Sequence, residues 1–71
     1  MKRFKAYTQK TTFSEKFYIE DENERDLIIT AEDANDARSL FNDYIFEHSL
    51  YTPHETAAIL FANPIYIEEV V

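Results

Sequence analysis

The side chains in this 71-residue chain that could carry acid–base or metal chemistry are two histidines, fourteen carboxylates and five tyrosines; there is no cysteine. The richest grouping of ligand types is EHSLYTPHE, residues 47–55, which brings Glu47, His48, His54 and Glu55 into one short stretch. Imidazole and carboxylate are the groups that bind zinc and related divalent ions. A helical metal motif needs its histidines on one face, and this spacing does not supply that. Each residue also has a structural use: His48 suits a helix C-terminus, His54 falls in a first helical turn, and Glu55 completes a capping box. Phosphate-cradling loops of the usual kind need glycine, and the chain has none. No serine sits in a nucleophile-elbow context. So small a domain also offers little concave space in which to exclude water and shift a pKa. We expect no catalytic residues, no metal and no cofactor: a non-enzymatic protein.

The second grouping is YIEDENERDLIIT, residues 18–30, which packs Glu20, Asp21, Glu22, Glu24 and Asp26 between two apolar runs. If the chain stays extended, Glu20, Glu22, Glu24 and Asp26 share one face about 6.6–6.8 Å apart, since alternate strand residues repeat at twice the rise. Continued by Glu32, Asp33 and Asp36, such a ladder would offer a negative stripe to a protein groove built for nucleic acid. Alternatively the stretch is a hairpin turn in which Asn23 supplies the positive φ that glycine usually provides, the acids keeping the tip soluble. The two readings are compatible, because loops on a rigid scaffold gather binding residues.

Charge is unevenly placed within the net −7. Residues 1–16 set Lys2, Arg3, Lys5, Lys10 and Lys16 against Glu15, a local +4, while Arg25 and Arg38 face thirteen carboxylates in the rest, a local −11. An acidic body attracts basic protein surfaces and repels nucleic acid. The basic first strand, with Tyr7 among its cations, still has the residue types of a single-strand binder; the competing reading is an edge strand blunted by lysine. Cysteine-free composition suits an intracellular compartment. No apolar run approaches the roughly 18 residues of a membrane span, and no leader pattern opens the chain, so we expect a cytoplasmic protein with no membrane partner.

The elements that must hold these groups follow from periodicity. RFKAYTQ alternates, with Phe4 and Ala6 on one face and Arg3, Lys5 and Tyr7 on the other; FSEKFYI repeats the pattern with Phe13, Phe17 and Ile19 opposite Tyr18, and QKTT joins them as a hairpin loop. DLIIT reads as a third strand or as the far end of a bent second one. Thr30, three residues before Asp33, is placed to cap a helix over residues 31–48 that aligns Ala34, Ala37, Phe41, Tyr44, Ile45 and His48, with Leu40 alongside. Thr52, Pro53 and Glu55 start a second, short helix, which Asn63 and Pro64 end; a strand over this segment is the minority reading. IYIEEVV closes as a strand, and pairing it with the first would set Glu68 and Glu69 near Lys2, Arg3 and Lys5. The expected fold is α+β in a single domain over residues 1–71: a small antiparallel sheet of three to four strands with one long and one short helix packed on one face.

The order of a basic strand, an aromatic strand and then IITAEDANDARSLF leading into a helix resembles small acidic accessory and inhibitor proteins of bacteriophages and mobile elements, over about residues 2–46. The part from Thr52 onward departs from that pattern. The resemblance implies a phage-type inhibitor or modulator in a bacterial host cell, acting on a host or defence enzyme of nucleic acid with a basic surface, in an anti-defence role and as a mimic of DNA. The expected partner-binding residues are Glu20, Asp21, Glu22, Glu24, Asp26, Glu32, Asp33 and Asp36, with Tyr18 and Tyr51 as anchors. The second function class is a small structural module, a homodimer joined through a strand edge or the helix pair. The third is a nucleic-acid binder through the basic strand.

Overall fold

The computed structural model describes residues 1–10 and 15–71. Six elements follow one another: β1 (Lys2–Lys10), β2 (Glu15–Tyr18), β3 (Ile29–Ala31), α1 (Ala34–His48), α2 (Pro53–Ala62) and β4 (Tyr66–Val70). The fold is α+β, a four-stranded antiparallel sheet carrying a longer and a shorter helix. The loop residues 11 and 12 and the side chain of Phe13, expected at the first hairpin, lie outside the described residues.

β1 is central and pairs with all three other strands. One of its edges takes β4, from Arg3 opposite Val70 to Tyr7 opposite Tyr66. The other takes β2, with Tyr18 opposite Tyr7, and then β3, with Ile29 opposite Phe4. β2 and β3 are therefore two lengths of one line beside β1, interrupted by the acidic excursion between them. DLIIT thus contributes Ile29 and Thr30 to a separate third strand laid along the same edge of β1 as β2, and between the two the Ile19 N–H donates to the Ala6 carbonyl at 2.9 Å.

Alternation in β1 turns Phe4 and Ala6 inward, where they meet Ala31, Ala37, Phe41 and Ile65 in the buried core. Ala6, Ala31 and Ala37 have no exposed surface, which lets α1 approach the sheet closely; Phe41, also fully buried, fills the space that remains. Burying that one ring stabilises the fold by about 1.5–3 kcal/mol. Ala34 is exposed rather than packed on the sheet, so the close approach rests on Ala37. Phe17 shares the inward parity but lies toward the far end of the sheet, 47% exposed, beside Thr8, Gln9 and Asn63.

α1 starts later than the TAED pattern suggested. Thr30 is held in the ladder opposite Arg3, so its backbone is committed to the sheet. Asp33 takes the capping role instead, its Oδ1 accepting from the Asp36 N–H at 2.8 Å, while the Asp36 carboxylate accepts from the Glu32 N–H at 3.3 Å. α2 starts as its residues dictate: Thr52 Oγ1 accepts from the Glu55 N–H at 3.2 Å and donates to Glu55 Oε1 at 3.0 Å, ahead of Pro53. It ends at Asn63, whose φ of −132° is not left-handed; its N–H instead bonds the Ile59 carbonyl at 2.8 Å.

The molecule exposes 5482 Å². A compact monomer of 8.4 kDa is expected to expose about 4600 Å², so roughly 900 Å² more surface is open than its mass requires. Among the described residues, large apolar side chains are exposed both on the sheet face away from α1, where Tyr66 is 45% exposed, and around α2, where Leu50 and Phe61 stand out.

Candidate protein interface

The acidic stretch folds as a turn. The Asp21 N–H donates to the Arg25 carbonyl at 2.7 Å, and the Glu24 N–H to the Asp21 carbonyl at 3.2 Å. The Asp21 carboxylate accepts from the N–H groups of Asn23 at 2.8 Å and Arg25 at 3.1 Å. Glu24, not Asn23, takes the positive φ, at 61°. The extended carboxylate ladder is thereby replaced: Glu20 and Asp26 face one another across a bridge, and Glu22 and Glu24 stand at the tip.

Behind the turn, the open sheet face is an ordered polar network. Tyr7 is paired with Tyr18 on one side and Tyr66 on the other, so three rings form a row across three strands. Tyr7 stacks on Tyr66 at 5.5 Å and meets the edge of Tyr18 at 5.5 Å. Lys5 Nζ lies 4.2 Å from the Tyr18 ring centre and Lys16 Nζ 4.8 Å from that of Tyr7. Glu68 is the hub: it accepts from Tyr18 Oη at 2.8 Å and pairs with Lys5 and Lys16, each at 3.5 Å. Lys5 also reaches Asp26 at 3.9 Å, and Lys2 pairs with Glu69 at 3.7 Å on the inner side. The hydrogen bond from Tyr18 holds the Glu68 carboxyl below its ordinary range, with Lys16 and Lys5 adding to the effect; the same bond raises the Tyr18 hydroxyl above its usual value. The register brings the closing strand's acids to Lys2 and Lys5 as expected, whereas Arg3 stands opposite Val70 and forms none of these ion pairs.

The helical side differs. Of α2, Thr56 alone is buried, its hydroxyl satisfied by Ser49 Oγ at 2.8 Å, which also accepts from the Tyr51 N–H at 3.1 Å. That polar contact fixes the connection between the helices and pushes its apolar residues outward: Leu50 is 101% exposed, Phe61 92%, Tyr51 59% and Ile59 43%. Leu60 lines two grooves, one on each flank of the line where α2 meets α1, each of about 340 Å³. Tyr44, Ile45, Leu50, Tyr51 and Ile59 form the first; Phe46, Ala57, Phe61 and Pro64 form the second, with Arg38 at its side. Arg38 is occupied, donating to the Ile65 carbonyl at 2.8 Å. Along the same helical segment Glu32, Asp33, Asp36, Asp43, Glu47 and Glu55 are all exposed, the first three at the start of α1, and among the described residues none of them forms an ion pair.

The ten expected contact residues therefore do not form one patch. Tyr18 and Asp26 belong to the sheet network; Glu20, Asp21, Glu22 and Glu24 form the turn; Glu32, Asp33 and Asp36 surround the start of α1; Tyr51 lies past its far end, about 22 Å of helix away. Leu50, Ile59 and Phe61 were missing from the sequence reading. The signal was present in PHETAAILFA: six consecutive apolar residues, Ala57 to Ala62, encircle a helix and cannot all face one neighbour. The histidines serve locally, His48 stacking on Tyr44 at 4.0 Å with Nδ1 2.9 Å from the Tyr44 carbonyl oxygen. Among the described residues no group of three or more His, Cys, Asp or Glu side chains is arranged to hold a metal ion. No helix is long and apolar enough to cross a membrane. Compared with protein-family models, curated proteins and solved structures, the chain matches none of them.

Proposed function

We propose that this chain is a non-enzymatic protein-binding factor whose working surface is the helical side. The observation that carries this reading is α2, which buries Thr56 alone while Leu50, Tyr51, Ile59 and Phe61 stand in solvent. Exposed large apolar side chains beside grooves, here on both flanks of α2, mark interaction sites in small soluble domains. Residues 31–64 carry six carboxylates against Arg38, a local −5, so the complementary partner presents apolar anchors flanked by lysine or arginine. A basic amphipathic helix or the lip of a basic cleft has that chemistry. Association would be steered by charge and held by burial of Leu50, Tyr51 and Phe61 in the partner.

The partner class that fits is a host or defence enzyme that handles nucleic acid, whose cleft combines positive charge with apolar walls. The chain would act stoichiometrically, as a phage-type inhibitor or modulator. The net −7 and the resemblance of residues 2–46 support this reading, with the acidic turn as a second, steering contact.

The test is capture from nuclease-treated bacterial lysate with three proteins: the natural chain, Leu50→Ser/Phe61→Ser, and Glu22→Gln/Glu24→Gln. A bound protein lost with the first variant and retained by the second supports the helical side as the working surface. Loss with the turn variant alone would return the function to the acidic stretch, and equal retention by all three would overturn both.

A further inference from the structure

The sheet face away from α1 is a second uncovered surface, and nothing in the helical-side reading uses it. Two occupants suit a face of tyrosines and lysines: a single-stranded nucleic acid, or protein. Nucleic-acid binding needs free cations and free ring faces. Here Lys5 and Lys16 are already paired to Glu68, and Lys5 also to Asp26. The Tyr7 ring is covered by Tyr66, with Lys16 Nζ and the edge of Tyr18 close by. A phosphate backbone would have to break this network and approach a carboxylate at its centre.

A protein surface has no such difficulty, and the charges favour one in particular. On a chain of net −7, this is the face where cations and acids come close to balance, Arg3, Lys5 and Lys16 standing with Glu68 and Asp26. It can meet a copy of itself without like-charge repulsion, whereas the helical side, at −5, cannot. Tyrosine is enriched at protein interfaces, and this row is held in place before binding, so little side-chain freedom is lost on association. The core also needs help: of eleven aromatic residues, Phe4 and Phe41 are the buried ones among those described. Domains of this size often add disulfides, a metal or association to such a core; cysteine is absent, so disulfides are not available here, and association is one of the other routes.

We infer that a second copy of this chain covers the open sheet face, giving a symmetric dimer with sheet against sheet and both helical sides outward. The Tyr18, Tyr7 and Tyr66 rows meet at its centre, and Arg3 lies within reach of acids from the other copy. A dimer so built presents two acidic, apolar surfaces at once and would raise the avidity of any partner with two sites.

Sedimentation equilibrium up to about 1 mM chain tests the inference. The expected result is a monomer–dimer equilibrium, weakened at least tenfold by Tyr66→Asp and by Arg3→Glu. Arg3 is exposed and Arg3→Glu leaves every ring contact in place, so its effect is not one of folding; far-ultraviolet circular dichroism checks both variants. Phe61→Ser should leave the equilibrium unchanged. A monomer throughout the range overturns the inference, as does a dimer that Phe61→Ser dissolves and Arg3→Glu does not. A mobility shift of oligothymidine at low salt that Arg3→Glu and Tyr66→Asp abolish would also overturn it, in favour of nucleic acid. None of these outcomes depends on whether lysate capture identifies a helical-side partner.

Discussion

The two open sides of the molecule hold similar residue types in opposite states. On the sheet side Tyr7, Tyr18 and Tyr66 lie against one another and against lysines, and Glu68 gathers a hydroxyl and two ammonium groups. On the helical side Leu50, Tyr51 and Phe61 stand in solvent among carboxylates that form no ion pair in the described residues. Register explains the difference. Strands fix cross-strand neighbours at close spacing, so opposite charges and rings placed there meet as soon as the ladder forms. A short helix resting on a buried threonine and on Leu60, partly buried against the core, has no such lattice, and its remaining faces keep whatever surface the sequence gives them. Self-association suits the balanced side; a foreign basic partner suits the unbalanced one.

The largest expected effect comes from the core beneath both sides. Phe41→Ala should cost about 3–5 kcal/mol, comparable with the whole stability of a domain this small, and circular dichroism should show a largely unfolded chain. If the fold survives, association rather than the core is holding it. Thr52→Ala removes the cap of α2 and should cost about 1 kcal/mol. Amide exchange should show the loss concentrated in residues 53–62; a loss spread over the sheet would mean that α2 is more firmly coupled than its burial suggests.

Glu24→Gly should stabilise by up to about 1 kcal/mol in urea melts, because glycine adopts a φ of 61° without the steric cost borne by an L-residue. It removes a carboxylate from the turn at the same time, so unchanged partner capture by this variant would sharpen the assignment to the helical side. The sheet network should add a pH dependence. The Glu68 carboxyl is lowered, so its contribution is present above the ordinary carboxylate value of 4.5 and fades as pH falls through the lower folded value. The Tyr18 hydroxyl is raised, so its contribution is present below 10.0 and fades as pH rises through the higher folded value. Tyr18→Phe should flatten both limbs of the urea midpoint against pH, since one hydrogen bond underlies both shifts. The smallest effect is expected for Phe61→Ser, within about 0.5 kcal/mol of the natural chain, as befits a side chain that touches little.

Much of the architecture was legible beforehand because it rests on local chemistry. Alternation placed Phe4 and Ala6 inside β1, the Thr52-Pro53-Glu55 trio started α2, and the opposite charges of the first and last strands anticipated their pairing. The start of α1 was misplaced because a hydroxyl at Thr30 and a carboxylate at Asp33 are both good caps. Only the pairing of Thr30 with Arg3 decides between them. The acidic stretch was open to two conformations for a related reason: its carboxylates suit a strand face and a turn alike, and the backbone bonds between Asp21 and Arg25 selected the turn.

The sequence by itself determined the class of fold, the sign and the uneven placement of charge, and the identity of each helix cap at α2, because these depend on residue type and on neighbours a few positions away. Tertiary structure alone decided which aromatics are buried, which lysines are neutralised and where the apolar surface remains open. Those outcomes depend on residues far apart in the chain: Tyr18 finds Glu68 only across β1, and Leu50 and Phe61 remain exposed where no other element of the fold covers them. Local sequence sets what a segment prefers, and long-range contact sets what it is left to face.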